Sequence, residues 1–125
     1  MNTIILIVDD DTPWTPGYWI QEQGGKINTS NSLILSRGNQ WISISKDPSV
    51  LDDYSASEIS AIMKFIDSPR FYVVEWNAGQ LVDEFLNAIP SDLAALIDND
   101  HGLIAQVGQL SGKPMSAWSN STTDI

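Results

Sequence analysis

The sequence predicts an α+β domain: a mixed, mainly antiparallel sheet with two main helices packed on one face. Three observations carry that expectation. Strand-like runs crowd the chain ahead of Lys46, helical periodicity begins only at Ser55, and the strongest strand lies between two capped helical segments.

Ile4–Val8 is an unbroken apolar run rich in β-branched residues and reads as a buried strand. Asp9–Gly17 follows with Thr-Pro-Trp-Thr-Pro-Gly, whose prolines and glycine argue against helix. Tyr18–Ile20 is expected to be a short strand, leading into a polar loop through Gly24 and Gly25. Ser32–Ser36 and Gln40–Ser45 are two strand-like runs joined by Arg37-Gly38-Asn39, a hairpin turn. Ile42 and Ile44 alternate with Ser43 and Ser45, which gives the sheet one wet face there. Trp41 then points to the opposite face from Ile42 and Ile44.

Ser55-Ala56-Ser57-Glu58 is a capping box, followed by Ile59, Ile62, Met63 and Ile66 at helical spacing and by Pro69 as a stop. Arg70–Trp76 is the best strand in the chain. Asn77 is expected to cap a second helix whose Val82, Phe85, Leu86 and Ile89 share one face, with Pro90 closing it. Leu93–Asp98 and Leu103–Gln109 read as strands around Asn99-Asp100-His101-Gly102, a turn sequence. A short helix capped by Ser91 is the alternative for Leu93–Ile97. Residues 1–112 are expected to form one domain, and 113–125, rich in Ser, Thr and Asn, a loose polar tail.

Composition narrows the function. Of 125 residues 42% are apolar and 18% charged, which suits a folded domain. Sixteen acids against six bases give a formal charge of −10, which repels nucleic acid and anionic lipid and attracts basic proteins. Solubility alone is the commoner reason for an acidic surface. There is no cysteine, so disulfides and thiolate metal sites are excluded. The N-terminal run has no basic flank and meets three aspartates at once, unlike a signal peptide, and no stretch is long enough to span a bilayer. A cytoplasmic protein is expected.

Catalytic patterns are sparse. ILIVDDD resembles the first strand of a response-regulator receiver domain, with Asp53 near the place of the phosphorylated aspartate and Lys113-Pro114 near that of its late Lys-Pro pair. The intervening residues depart from that family. Pro13, Pro16 and Gly17 occupy the place of its first helix, and Ser32–Ser45 reads as a hairpin where a βαβ unit is required. His101, with Asp98 or Asp100, has the makings of an acid–base pair, but turns collect such residues for backbone reasons. Asp9–Asp11 lack the spaced ligands of a calcium loop. The expectation is no enzyme, no cofactor and no metal.

Aromatics beside acids are the better lead. Five tryptophans is a high count, and Trp14, Tyr18 and Trp19 follow the three aspartates directly. Rings supply buried area and carboxylates supply steering at a surface for a basic partner. Trp14 and Trp19 are equally readable as lids over the sheet edge, whereas Trp76 belongs to the core. The candidate partner-binding residues are Asp9, Asp10, Asp11 and Trp14; Asp52, Asp53, Tyr54 and Glu58; and Asp83 and Glu84.

The segments FYVVEWNAGQLVDEFLNAIP and LIDNDHGLIAQV resemble the C-terminal half of immunity proteins from contact-dependent growth inhibition and related polymorphic toxin systems. The resemblance covers roughly residues 70–107 and is one of style, with no diagnostic motif. It implies a small acidic cytoplasmic bacterial protein that neutralises a cognate toxin domain, often a nuclease, by covering its basic nucleic-acid groove. The alternatives are another acidic binding module, such as a phage DNA mimic or an adaptor, and a phospho-receiver-like domain. No nucleic acid and no membrane is expected as partner, and the oligomeric state stays open.

Overall fold

A computed structural model describes residues 2–29, 32–90, 92–98, 104–107 and 123–124. In chain order the elements are β1 (Asn2–Asp9), α1 (Pro16–Glu22), β2 (Lys26–Thr29), β3 (Ser32–Arg37), β4 (Gln40–Lys46) and a 3-10 helix (Pro48–Asp53). There follow α2 (Ala56–Phe65), β5 (Pro69–Trp76), α3 (Gly79–Ala88), β6 (Ala95–Asp98), β7 (Ile104–Gln106) and β8 (Thr123–Asp124). The strands form one sheet in the order β2-β3-β4-β5-β1-β6-β7-β8. Every pairing is antiparallel except the short one between β7 and β8. The fold class is α+β on a mainly antiparallel sheet, as the sequence predicts.

β1 lies in the middle, paired with β5 on one side and β6 on the other. Its alternate side chains divide between two cores. Ile4, Leu6 and Val8 join Val74, Trp76 and Ile97 under Trp19 and Ile20 of α1 and Leu81, Val82, Phe85 and Leu86 of α3. Ile7 joins Phe71 and Leu96 under Val50 of the 3-10 helix and Ile62 of α2, with Ile66 just beyond that helix. The two main helices therefore pack on opposite faces, which corrects the expectation of one shared face. Five consecutive apolar residues leave a strand with no side fit for water, so each side needs its own cover.

Local chemistry explains where the elements begin and end. The capping box forms as read: Ser55 Oγ accepts from Glu58 N at 3.2 Å, and Ser55 N donates to Glu58 Oε1 at 2.9 Å. The β3–β4 hairpin closes on Gly38 and Asn39, with Gly38 at φ 64° supplying the left-handed residue that such a turn needs. Two local expectations fail. Tyr18–Ile20 is helical, because Pro16 sits in the first turn, where its missing N–H costs nothing and its fixed φ suits the helix. Asn77 does not cap α3: its Oδ1 accepts from Trp41 N and its Nδ2 donates to the Asn39 carbonyl, both at 2.7 Å, while Ala78 stands at the cap. The strand reading of Leu93–Asp98 holds over Ala95–Asp98, and that of Leu103–Gln109 over Ile104–Gln106. His101 and the Asn99–Gly102 turn lie outside the described residues. Most of the C-terminal tail lies outside them too, although Thr123–Asp124 pairs with β7 rather than standing apart from the sheet.

Phe85 is fully buried, with its ring centroid 5.3 Å from that of Trp19, whereas Met63 on α2 is half exposed. Phe85→Ala is expected to cost about 3–5 kcal/mol and Met63→Ala about 0.5 kcal/mol or less in urea unfolding. Similar losses for the two would contradict this division of core and surface.

Candidate functional site

Cross-strand register places a groove on the α2 side of the sheet. Partners directly opposite one another point to the same face. The row nearest α2 is Phe71, Ile7 and Leu96, which the helix covers. The next row is Ser45, Val73, Ile5, Asp98 and Ile104. The row beyond it is Ile34, Ser43, Glu75 and Thr3. Within the second row Ile104 is buried, while Ile5 and Val73 are half-buried at the margin of the α2-side core.

A cleft of about 440 Å³ opens at this boundary. Ile5, Val73 and Ile104 form its floor, and Val50, Tyr54, Asp47, Asp53 and Glu58 its wall, with Asp98 rising from β6. Four carboxylates thus frame an apolar floor, and no lysine or arginine is among the described lining residues. Each acid is placed by its element. Asp47 Oδ1 caps the 3-10 helix by accepting from Ser49 N at 3.0 Å. Glu58 is held by the capping box. Tyr54 packs its ring 5.7 Å from that of Phe71 and donates its hydroxyl to Asp98 Oδ2 at 2.8 Å. Asp53 is exposed at the end of the 3-10 helix.

The structure thus brings Asp53, Tyr54 and Glu58 of the predicted residues into one site. Asp47 and Asp98 belong with them, as do the three floor residues, and none of these was a candidate binding residue in the sequence. Asp98 reaches the site through its remote pairing with Ile5, for which a single sequence carries no local signal, while Ile104 faces it from the next strand. Asp52 is exposed beside Asp53 but does not line the cleft.

The other candidates fall elsewhere. Asp9 Oδ1 accepts from Asp11 N at 3.0 Å, tightening the turn after β1, and Asp11 is exposed. Asp10 pairs with Arg70 at 3.5 Å beside a second hollow of about 280 Å³, which Lys46, Leu51 and Ser68 also line. Trp14 packs on the α1–α3 core, and its carbonyl accepts from Arg70 Nη2 at 3.3 Å. Trp19 is buried there, so for both tryptophans the lid reading holds. Glu84 is bound to Arg37 at 2.7 Å, and Asp83 beside it is half buried on the α3 side. Asp10 and Asp53 line different hollows, and both neighbours of β1 are antiparallel, so the parallel sheet of a receiver is not formed. Among the described residues no group of three or more His, Asp or Glu could hold a metal ion.

No protein family, curated protein or solved structure matches this chain.

Burial raises the Tyr72 hydroxyl above its ordinary 10.0, opposed by the nearby Arg70 charge and reinforced by Asp10. The Arg70 guanidinium lies 5.5 Å from the Tyr72 ring centroid. An acid whose pKa is higher folded than unfolded holds its proton more tightly in the fold, so its contribution is lost as pH rises. Stability is expected to fall as pH climbs past the ordinary tyrosine value, and Tyr72→Phe should flatten that fall in alkaline urea melts. Tyr54→Phe, which removes the bond to Asp98, is expected to cost about 1–2 kcal/mol at neutral pH. A neutral Tyr54→Phe would show that this bond does not hold the cleft wall to β6.

Proposed function

We propose that the chain is an inhibitor of the immunity type, which binds a cognate basic bacterial toxin domain and blocks its nucleic-acid groove. One observation carries this reading: the larger described cleft presents four carboxylates around an apolar floor, with no lysine or arginine among its described lining residues. Such a surface offers a basic protein both halves of an interface, with area to bury and charge to pair. The formal charge of −10 acts in the same sense at longer range. The resemblance of the segments within residues 70–107 to immunity proteins agrees with it.

In this mechanism the carboxylates of the chain take the positions of RNA or DNA phosphates against the lysines and arginines of the toxin. The inhibitor works by occupancy and performs no chemistry. Electrostatic steering allows association up to about 10⁸ M⁻¹s⁻¹ at low salt, falling as salt screens the long-range attraction. The cleft acids lead the interface: Asp53 and Glu58 with Asp47 and Asp98. Asp52 adds charge at the rim. Glu84 contributes less, because Arg37 already neutralises it.

The test is co-expression with the polypeptide encoded directly upstream. Rescue of growth is expected, with a co-purifying complex whose affinity drops about tenfold or more between roughly 50 and 500 mM NaCl. A harmless upstream product that forms no complex would remove the inhibitor reading. Capture of a basic DNA-binding protein instead would move the assignment to a DNA mimic.

A further inference from the structure

We infer that the groove over Ile5, Val73 and Ile104 seats one extended arginine side chain of a protein partner. The inference deepens the inhibitor reading and shares its premise of a basic partner. It begins from the floor rather than from the acids. Val73 and Ile5 are half-buried apolar residues in the middle of the sheet, at the margin of the α2-side core, and they line the cleft beside the buried Ile104. An apolar strip of this kind, bounded by carboxylates, does not suit a wholly apolar ligand, whose approach would desolvate those charges without pairing them. Nor does it suit a bare metal ion, since no described group of acids has the geometry to hold one.

A side chain with an apolar stem and a cationic head satisfies both parts. The methylenes lie on Ile5, Val73 and Ile104 while the head stays among the acids. Arginine fits better than lysine for a geometric reason. The carboxylates come from separate elements: Asp47 and Asp53 flank the 3-10 helix, Glu58 is in the first turn of α2, and Asp98 ends β6. A planar head with five donors can address several such acceptors and present its face to the Tyr54 ring, whereas a compact ammonium addresses fewer. Charge complementarity thus names the occupant.

The experiment is a titration of the full chain, with methyl groups of Ile and Val labelled for NMR, using N-acetyl-arginine-methylamide as the probe. Saturable shifts are expected at Ile5, Val50, Val73 and Ile104, weakened about fivefold or more by Asp53→Asn and by Glu58→Gln. Both variants are suited to the purpose, since Asp53 is exposed and glutamine also serves in a capping box. Asp83→Asn, on the opposite side, should leave the titration unchanged. Shifts spread over the whole acidic surface, equal shifts with the norleucine or lysine analogue, or no response to the two groove variants would overturn the inference. Because no toxin takes part, the outcome separates from the growth test. Rescue without groove binding removes the arginine seat, and groove binding without rescue removes the immunity reading.

Discussion

The architecture depends on the burial of β1 from both sides. Ile4–Val8 contains no residue suited to water, so a sheet with one bare face could not accommodate this strand at its centre. One layer, α1 and α3, covers Ile4, Leu6 and Val8; the other, α2 with the 3-10 helix, covers Ile7. β5 shows the same demand, with Phe71 facing one layer and Tyr72 and Val74 the other. β4 does not. Its Ile42 and Ile44 are buried while Ser43 and Ser45 are only partly so, and the second layer stops short of it. The groove lies at the margin of the second layer, where Ile5 of β1 and Val73 of β5 are only half-buried.

That distribution was legible in the sequence, although its consequence was easy to miss. An unbroken apolar run and an alternating one make different demands. Ile4–Val8 against Ile42–Ser45 already says that the centre of the sheet needs two layers and its flank only one. Local signals were read correctly where a side chain bonds within a few residues of itself, as in the Ser55–Glu58 box and the Gly38 turn. They misled where the decisive partner was remote. Asn77 has the composition of a cap, but the hairpin end at Asn39 and Trp41 claims its amide. Pro16 looks like a helix breaker, yet in a first turn it is a helix starter, and Trp19 and Ile20 gain a core by following it.

The candidate site was half legible for the same reason. Asp53, Tyr54 and Glu58 are close in sequence and remain close in the fold, whereas Asp98 and the floor residues join them only through strand pairing. The acids at Asp10 and Glu84 illustrate the converse. They are no less acidic than those of the cleft, and each has an arginine beside it, Arg70 for Asp10 and Arg37 for Glu84. A surplus of carboxylates says that some face will be negative; where it lies depends on how the fold distributes the few bases.

At its two edges the sheet has short described strands: four residues in β2 and two in β8. An edge strand offers its unpaired amides and carbonyls as a template for a foreign strand, and a short edge offers few of them. Backbone zippering, which accepts many sequences, thus finds few groups to pair with at either described edge, and indiscriminate stacking is limited there.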